Sequence, residues 1–152
     1  MKTLIAFLIA VIGGYVLATV LVSWTNMQAI ADLGFEITWS QRSDTIFHDL
    51  VSMTSTYLPL MAIALLIGFL IAALIIRTRP SLAFVGYVLS GFVAVIVLHV
   101  LMKAALGLTG IAAVRSTMGL LVQGLAGAFA GWCFFRVKIG GTTGPLDAES
   151  SP

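Results

Sequence analysis

The chain has 152 residues, of which 60% are hydrophobic and only 9% are charged, and its formal net charge is +2. An ordinary soluble domain carries roughly 25% charged and 45–50% apolar residues, so this composition excludes a water-soluble domain with a normal polar surface. The basic residues form no long run, which argues against a nucleic-acid partner. The single cysteine, Cys133, excludes an internal disulfide and a CxxC redox pair.

Four hydrophobic runs of about 20 residues predict four membrane-spanning helices. They cover residues 4–22, 57–76, 81–102 and 111–135, and no acidic residue falls inside them. The first run follows Lys2, as a secretory signal would, but it is longer than a typical signal core and no clear A-x-A site follows it. Because backbone polar groups must pair within each segment in hydrocarbon, we expect an all-α membrane protein, a bundle of four transmembrane helices.

The flanking charges predict the orientation of these spans. If there are four, one side carries five basic residues, Lys2, Arg77, Arg79, Arg136 and Lys138, and the other carries three, Arg42, Lys103 and Arg115. The positive-inside rule then predicts that both termini are cytoplasmic, and the pattern suits a bacterial inner membrane. Trp24 and Tyr57 are expected at outer span ends and Trp132 near an inner end, in the headgroup layer.

The expected organisation is one membrane domain over residues 1–138 and a tail, 139–152, whose Gly, Ser, Thr and Pro content predicts disorder. Residues 23–56 are predicted to form an ordered outer cap. In the cap, the alternation in "FEITWS" predicts a short strand, and "SDTIFHDLVSM" predicts an amphipathic helix with Ser43 as its N-cap. This helix is expected to lead directly into the second span.

An outer electrostatic cluster is predicted where the third and fourth spans meet. His99 and Lys103 are four residues apart, and Arg115 begins the fourth span, so we interpret all three as markers of the outer boundary, with His99 at the interface. The cap supplies Asp32, Glu36, Asp44 and Asp49, and we expect its carboxylates to pair with Lys103 and Arg115. Asp44 and His48 are four residues apart beside Asp49, a spacing typical of a local ion pair.

Small residues recur every fourth position in the predicted spans, a pattern that permits close helix packing. Gly127 and Gly131 form a GxxxG motif beside Gly124. The motif either binds the four helices to one another or forms the contact with a second copy or a partner protein. Gln123, deep in the same span, predicts an interhelical hydrogen bond with Ser90 or Thr19, or else a substrate or ion contact.

Catalytic and cofactor signatures are weak in this sequence. His48 and His99 are two lone histidines without metal-site or haem spacing, and no nucleophile motif surrounds Ser90. We therefore expect no enzyme activity, cofactor or metal. The expected function is that of a small non-catalytic membrane protein, an accessory or structural subunit that packs against itself or a larger membrane complex. The alternative is a small oligomeric transporter or a membrane protein that binds lipid or anions.

Overall fold

The computed structural model describes residues 1–106 and 117–140, which form helices and turns without a strand. The five helices are α1 (Lys2–Asp32), α2 (Trp39–Ser52), α3 (Tyr57–Thr78), α4 (Ala83–Leu106) and α5 (Thr117–Gly140), with one 3₁₀ turn (Pro80–Leu82) before α4. Four of them, α1, α3, α4 and α5, are long and apolar enough to cross a membrane. The predicted all-α protein with four apolar spans is therefore confirmed, and the chain has the features of an integral membrane protein.

The four spans pack as an antiparallel bundle in which α5 contacts α1 and α4, α4 contacts α3, and α1 contacts α3 less extensively. The first residues of α1 and the last residues of α5 lie at one end, which we call the termini end. The opposite end carries α2 and is called the α2 end. The amino acids predicted to flank the spans on one side, such as Arg77 and Arg136, thus lie at the termini end.

Small residues set the distances between the helices. On α1 the buried face repeats every four residues, at Ala6, Ala10, Gly14 and Ala18. A Cβ atom on Gly14 would lie 2.8 Å from the Cβ of Ala130, so α1 and α5 are already as close as their backbones allow. Because lipid is as apolar as leucine, this close packing, rather than the hiding of apolar side chains, stabilises the bundle.

Helix α1 is longer than a membrane requires. Its 31 residues correspond to about 46 Å, whereas the hydrocarbon core of a bilayer is about 30 Å thick. Its buried positions end at Ser23, and α2 packs against the turns around that residue. Residues 24–53 therefore form a helical hairpin, called here the α1–α2 hairpin, whose turn uses Gly34 with a φ of +92°.

Several predictions for residues 23–56 are wrong in detail. The "FEITWS" segment is not a strand, since residues 35–38 are irregular and α2 already begins at Trp39. Thr38, not Ser43, is the N-cap: its side chain accepts from the Gln41 backbone, and the Gln41 side chain accepts from the Thr38 N–H. The helix also stops at Ser52, and a turn precedes α3. A capping box is a stronger start signal than a lone serine, and it was present in the sequence.

Candidate functional site

A group of buried polar side chains lies inside the bundle towards the α2 end. Tyr57, His99 and Gln123, called here the polar cluster, come from three different spans and are each at least 96% buried. The Tyr57 hydroxyl lies 3.4 Å from His99 Nε2 and 3.5 Å from Gln123 Oε1. Gln123 Nε2 donates to the carbonyl oxygen of Ala18 on α1 at 3.2 Å. The cluster thus connects all four spans.

The hydrogen bonds of His99 define its tautomer. Its Nδ1 lies 2.8 Å from the Val95 carbonyl oxygen, which can only accept, so Nδ1 carries the proton. In the neutral ring Nε2 is then an acceptor and faces the Tyr57 hydroxyl. That hydroxyl has one proton for two acceptors, and both distances exceed the usual range for O–H donors. The polar cluster is consequently held by weak contacts.

Thr19 adds unused hydrogen-bonding capacity beside this cluster. Its side chain is fully buried, and its hydroxyl has no hydrogen-bond partner among the described residues. An unpaired buried hydroxyl costs free energy, so Thr19 weakens rather than strengthens this layer. The polar cluster offers neutral donors and acceptors, namely an amide, a phenol and an imidazole, and it contains no carboxylate, ammonium or guanidinium group.

The structure corrects three predictions for these residues. His99 is buried in the bundle rather than interfacial, and Tyr57, expected in the headgroup layer, is only 3% exposed. The predicted interhelical hydrogen bond of Gln123 is present, but its partners are Tyr57 and the Ala18 carbonyl. Ser90, one of the two predicted partners, donates instead to the Tyr87 carbonyl in its own helix. Tyr57 and His99 point into the bundle, where each lies within hydrogen-bonding reach of the other and Tyr57 also reaches Gln123.

A second polar contact lies at the termini end. Lys138 Nζ donates to the Tyr87 hydroxyl at 2.7 Å and lies over the Tyr87 and Phe134 rings. Phe69 stacks on Phe134 with centroids 4.6 Å apart, so an aromatic group closes this end of the core. The lysine stem is thereby buried along apolar rings while its ammonium group remains hydrogen-bonded.

The interior between these two polar regions is apolar. Its buried side chains come from all four spans and include Val11, Met61, Leu65, Val95 and Ala126. Within the described residues, this layer separates the polar cluster from the Lys138–Tyr87 contact. A single bundle therefore presents polar side chains at both ends without a polar connection through its middle.

Polar contacts attach α2 to the bundle. Ser23 Oγ donates to Asp49 Oδ2 at 2.7 Å, and the Tyr15 hydroxyl donates to the Leu50 carbonyl at 2.8 Å. The first of these is a charge-assisted hydrogen bond in a partly buried position, the stronger class of such bonds. Ser23 was not identified from the sequence, although Tyr15, Thr19 and Ser23 repeat every four residues on the buried face of α1.

Further contacts join the aromatic side chains of the α1–α2 hairpin. The Arg42 guanidinium lies 4.9 Å from the centroid of the Trp24 ring, and the Trp24 and Trp39 rings are 6.1 Å apart. A guanidinium over an aromatic face is a favourable cation–π geometry. Arg42 therefore helps to hold α2 beside the last turns of α1.

The predicted electrostatic cluster is not assembled as expected. Lys103 is exposed, and no carboxylate of the described residues lies within 4 Å of its ammonium group. Arg115 lies outside the described residues. His48 pairs weakly with Asp49 at 3.6 Å, whereas Asp44 accepts from Ser40 at the hydrogen-bond limit of 3.5 Å. The carboxylate of Asp49 instead bonds to α1, so attachment of α2 does not use Lys103.

The GxxxG glycines lie between α4 and α5. A Cβ atom on Gly127 would collide with the Gly91 carbonyl, and one on Gly131 would collide with the Tyr87 carbonyl. Gly124 is covered by the Phe92 ring, 2.6 Å from its ideal Cβ position. All three glycines thus contact α4 of the same chain. This arrangement matches the interpretation in which the motif packs the four helices together.

The described residues contain no group of three or more His, Cys, Asp or Glu side chains placed to hold a metal ion. In comparisons with known proteins, the chain matches no family model, no curated protein and no solved structure. The roles of the α1–α2 hairpin and of the buried polar cluster therefore have to be inferred from the contacts, burial and hydrogen bonds of their own residues.

Proposed function

We propose that this protein is a non-catalytic subunit of a larger membrane assembly, anchored by its four spans and in contact with a partner protein through the α1–α2 hairpin. The observation that carries the proposal is the exposed apolar surface of this hairpin. Its large side chains are 62–77% exposed although they lie beyond the buried part of α1, and they are Leu33, Phe35, Trp39, Phe47 and Val51. We call these five side chains the hairpin face.

The position of the hairpin face on α2 supports a contact surface. At 3.6 residues per turn, Phe47 and Val51 lie about 40° apart on α2 and about 160° from Asp49, whose carboxylate bonds to α1. One side of α2 is held by Ser23 and Tyr15, so the other is presented on a fixed support. Exposed apolar patches outside a core are typical of protein–protein contact sites.

The interior of the bundle supports a structural rather than a catalytic or transport role. In the polar cluster, His99 Nδ1 is committed to a backbone carbonyl, and the amide of Gln123 bonds to α1. The first contact joins successive turns of α4, and the second joins α5 to α1. The apolar layer around Met61 and Leu65 disfavours passage of a polar substrate through a single copy.

The proposal includes an orientation, with both termini in the cytoplasm of a bacterium and the α1–α2 hairpin outside the inner membrane. Five of the chain's basic residues flank the termini end, and the positive-inside rule supports this direction. Labelling of an added cysteine with an impermeant reagent checks it. A reporter at Ser40 should react in intact cells, and one following the C-terminus should react only after lysis.

The partner contact is tested by site-specific photocross-linking. A benzophenone amino acid at position 47 should give one discrete protein adduct at native expression levels. The same probe at Leu125, which is 60% exposed on a span, is the matched control and should label lipid. Native mass spectrometry of wild-type protein from its own membranes should show the same partner in fixed stoichiometry, and Phe47→Asp should remove it.

Other outcomes overturn the proposal. An adduct of twice the monomer mass assigns the hairpin face to a second copy of this chain rather than to a different protein. Only lipid adducts at position 47, equal to those at Leu125, place the hairpin face in the bilayer and leave no partner contact there.

A further inference from the structure

We propose that the outer groove between α3 and α4 binds one acyl chain of an anionic phospholipid, whose headgroup is held by Arg77 and Arg79. This site is separate from the α1–α2 hairpin, and the inference goes beyond the partner contact proposed above. It rests on three features of the groove: its shape, its uniform lining and the charges at one end.

The groove follows both helices along most of their length and has a volume of about 600 Å³. It begins near Leu60 and Leu101 at the α2 end and reaches Ile76 and Leu82 at the termini end. Its walls are branched aliphatic side chains that face outwards, among them Ile63, Ile67, Ile71, Val85, Leu89 and Val93. The floor is formed where Gly68 packs closely on Ser90 and Ala94.

The length of the groove suits an acyl chain. From Leu60 to Ile76 the groove extends about 24 Å along α3, which is more than half of the roughly 30 Å hydrocarbon core of a bilayer. An acyl chain whose headgroup lies at one end of the groove therefore stays within the groove over the whole depth of its leaflet.

The lining offers nothing to a polar ligand. Among the described residues that line the groove, Ser90 alone carries a side-chain hydroxyl, and this hydroxyl already donates to the Tyr87 carbonyl at 3.0 Å. All other lining residues are Ala, Gly, Val, Ile or Leu. The occupant must therefore place its polar group beyond an end of the groove.

The charged residues at the two ends of the groove indicate the charge of the lipid headgroup and the end at which it lies. Arg77 directly follows the lining residue Ile76, and Arg79 directly precedes the turn that contains Leu82. Both arginines are exposed, and no carboxylate of the described residues lies within 4 Å of either. Guanidinium groups bind phosphate oxygens in a bidentate geometry, and basic sites at the ends of spans bind anionic headgroups. Among the described residues, Lys103 is the one lysine or arginine within three positions of a lining residue at the α2 end, whereas two arginines follow the lining at the termini end, so we place the headgroup there.

Competition between two lipids tests the proposal. The full chain is reconstituted in vesicles with equal amounts of phosphatidylglycerol and phosphatidylcholine, extracted in mild detergent, and analysed by native mass spectrometry. Wild-type protein should retain one phospholipid, with phosphatidylglycerol preferred by about 25-fold at low ionic strength, or about fivefold for each arginine. Arg77→Gln with Arg79→Gln should remove the preference. Arg136→Gln, at the same end but over the Trp132 ring, should keep it.

A second pair of variants tests the groove itself. Val93→Trp places an indole in the middle of the groove, and Leu125→Trp places the same group on an exposed face of α5 outside it. Val93→Trp should lose the retained lipid, and Leu125→Trp should keep it. The proposal is overturned if wild-type protein retains both lipids equally, if Arg77→Gln with Arg79→Gln has the same preference as Arg136→Gln, or if Val93→Trp retains lipid as well as Leu125→Trp does.

Discussion

Substitution of Gly127 by alanine tests whether the GxxxG motif packs α5 on α4 within one chain. The added Cβ would collide with the Gly91 carbonyl and lie 2.7 Å from Val95 Cγ2. A backbone carbonyl cannot rotate away by itself, so α4 and α5 must separate along the motif. Gly13, on α1, provides a matched control, because its added Cβ would meet Phe129 Cε1 at 3.5 Å, an ordinary contact distance.

The two substitutions should differ in their effect on the free energy of unfolding. Overpacking of a close interface costs about 1–3 kcal/mol, and the separation also removes van der Waals contacts on which helix packing in lipid depends. At Gly13 the helix interior gains alanine in place of glycine, which is favourable by up to about 1 kcal/mol. Gly127→Ala should therefore be destabilised while Gly13→Ala is unchanged or stabilised.

The measurement is reversible unfolding in mixed micelles by increasing SDS, followed by circular dichroism and by the mass of the native species. The reasoning fails if Gly127→Ala unfolds at or above the wild-type SDS fraction. It also fails if Gly127→Ala changes only the oligomeric mass, since that result would assign the motif to contact between chains. Equal destabilisation of Gly13→Ala would show that any added methyl group disturbs this bundle.

Three further substitutions probe the polar contacts in the same unfolding assay and by hydrogen exchange. Thr19→Val should be neutral or stabilising, because it removes an unpartnered buried hydroxyl and keeps its shape; clear destabilisation would mean that the hydroxyl has a partner. Gln123→Leu should lower the free energy of unfolding by about 0.6–1.7 kcal/mol, and an unchanged value would contradict a bonded amide. Ser23→Ala, which removes the 2.7 Å bond to Asp49, should speed amide exchange in α2; Ser40→Ala is its control, and equal exchange in the two variants would refute the anchoring role of Ser23.

The wrong predictions for Tyr57 and His99 have a common physical cause. Near a span end, an aromatic or ionisable residue can point either to the headgroups or into the bundle, and composition does not distinguish these directions. Tyr57 and His99 point inward because they meet each other there, and Gln123 from α5 lies beside the Tyr57 hydroxyl. Lys103, only one helical turn beyond His99, stays exposed. Which of them turns inward depends on the neighbouring helices, and these are distant in the sequence.

The hairpin illustrates a different limit. Alternating apolar residues from Phe35 to Trp39 predicted a strand, but a single strand has no sheet to join in a bundle of helices. The capping box formed by Thr38 and Gln41 starts α2 instead. Local hydrogen bonds thus prevailed over a short alternation pattern, and the capping residues were the more reliable signal.

The sequence by itself determined the four spans and their helical form, since transfer of apolar residues into lipid depends on composition summed along a segment, and hydrocarbon leaves the backbone no other partner than its own helix. It also determined which faces carry small residues. Only the tertiary structure decided that Gly127 and Gly131 meet α4 of the same chain, that Tyr57, His99 and Gln123 form one buried cluster, and that α3 and α4 enclose an apolar groove that reaches Ile76 and Leu82. These features depend on which helix faces meet, and residues from distant parts of the chain must come together before any such contact exists.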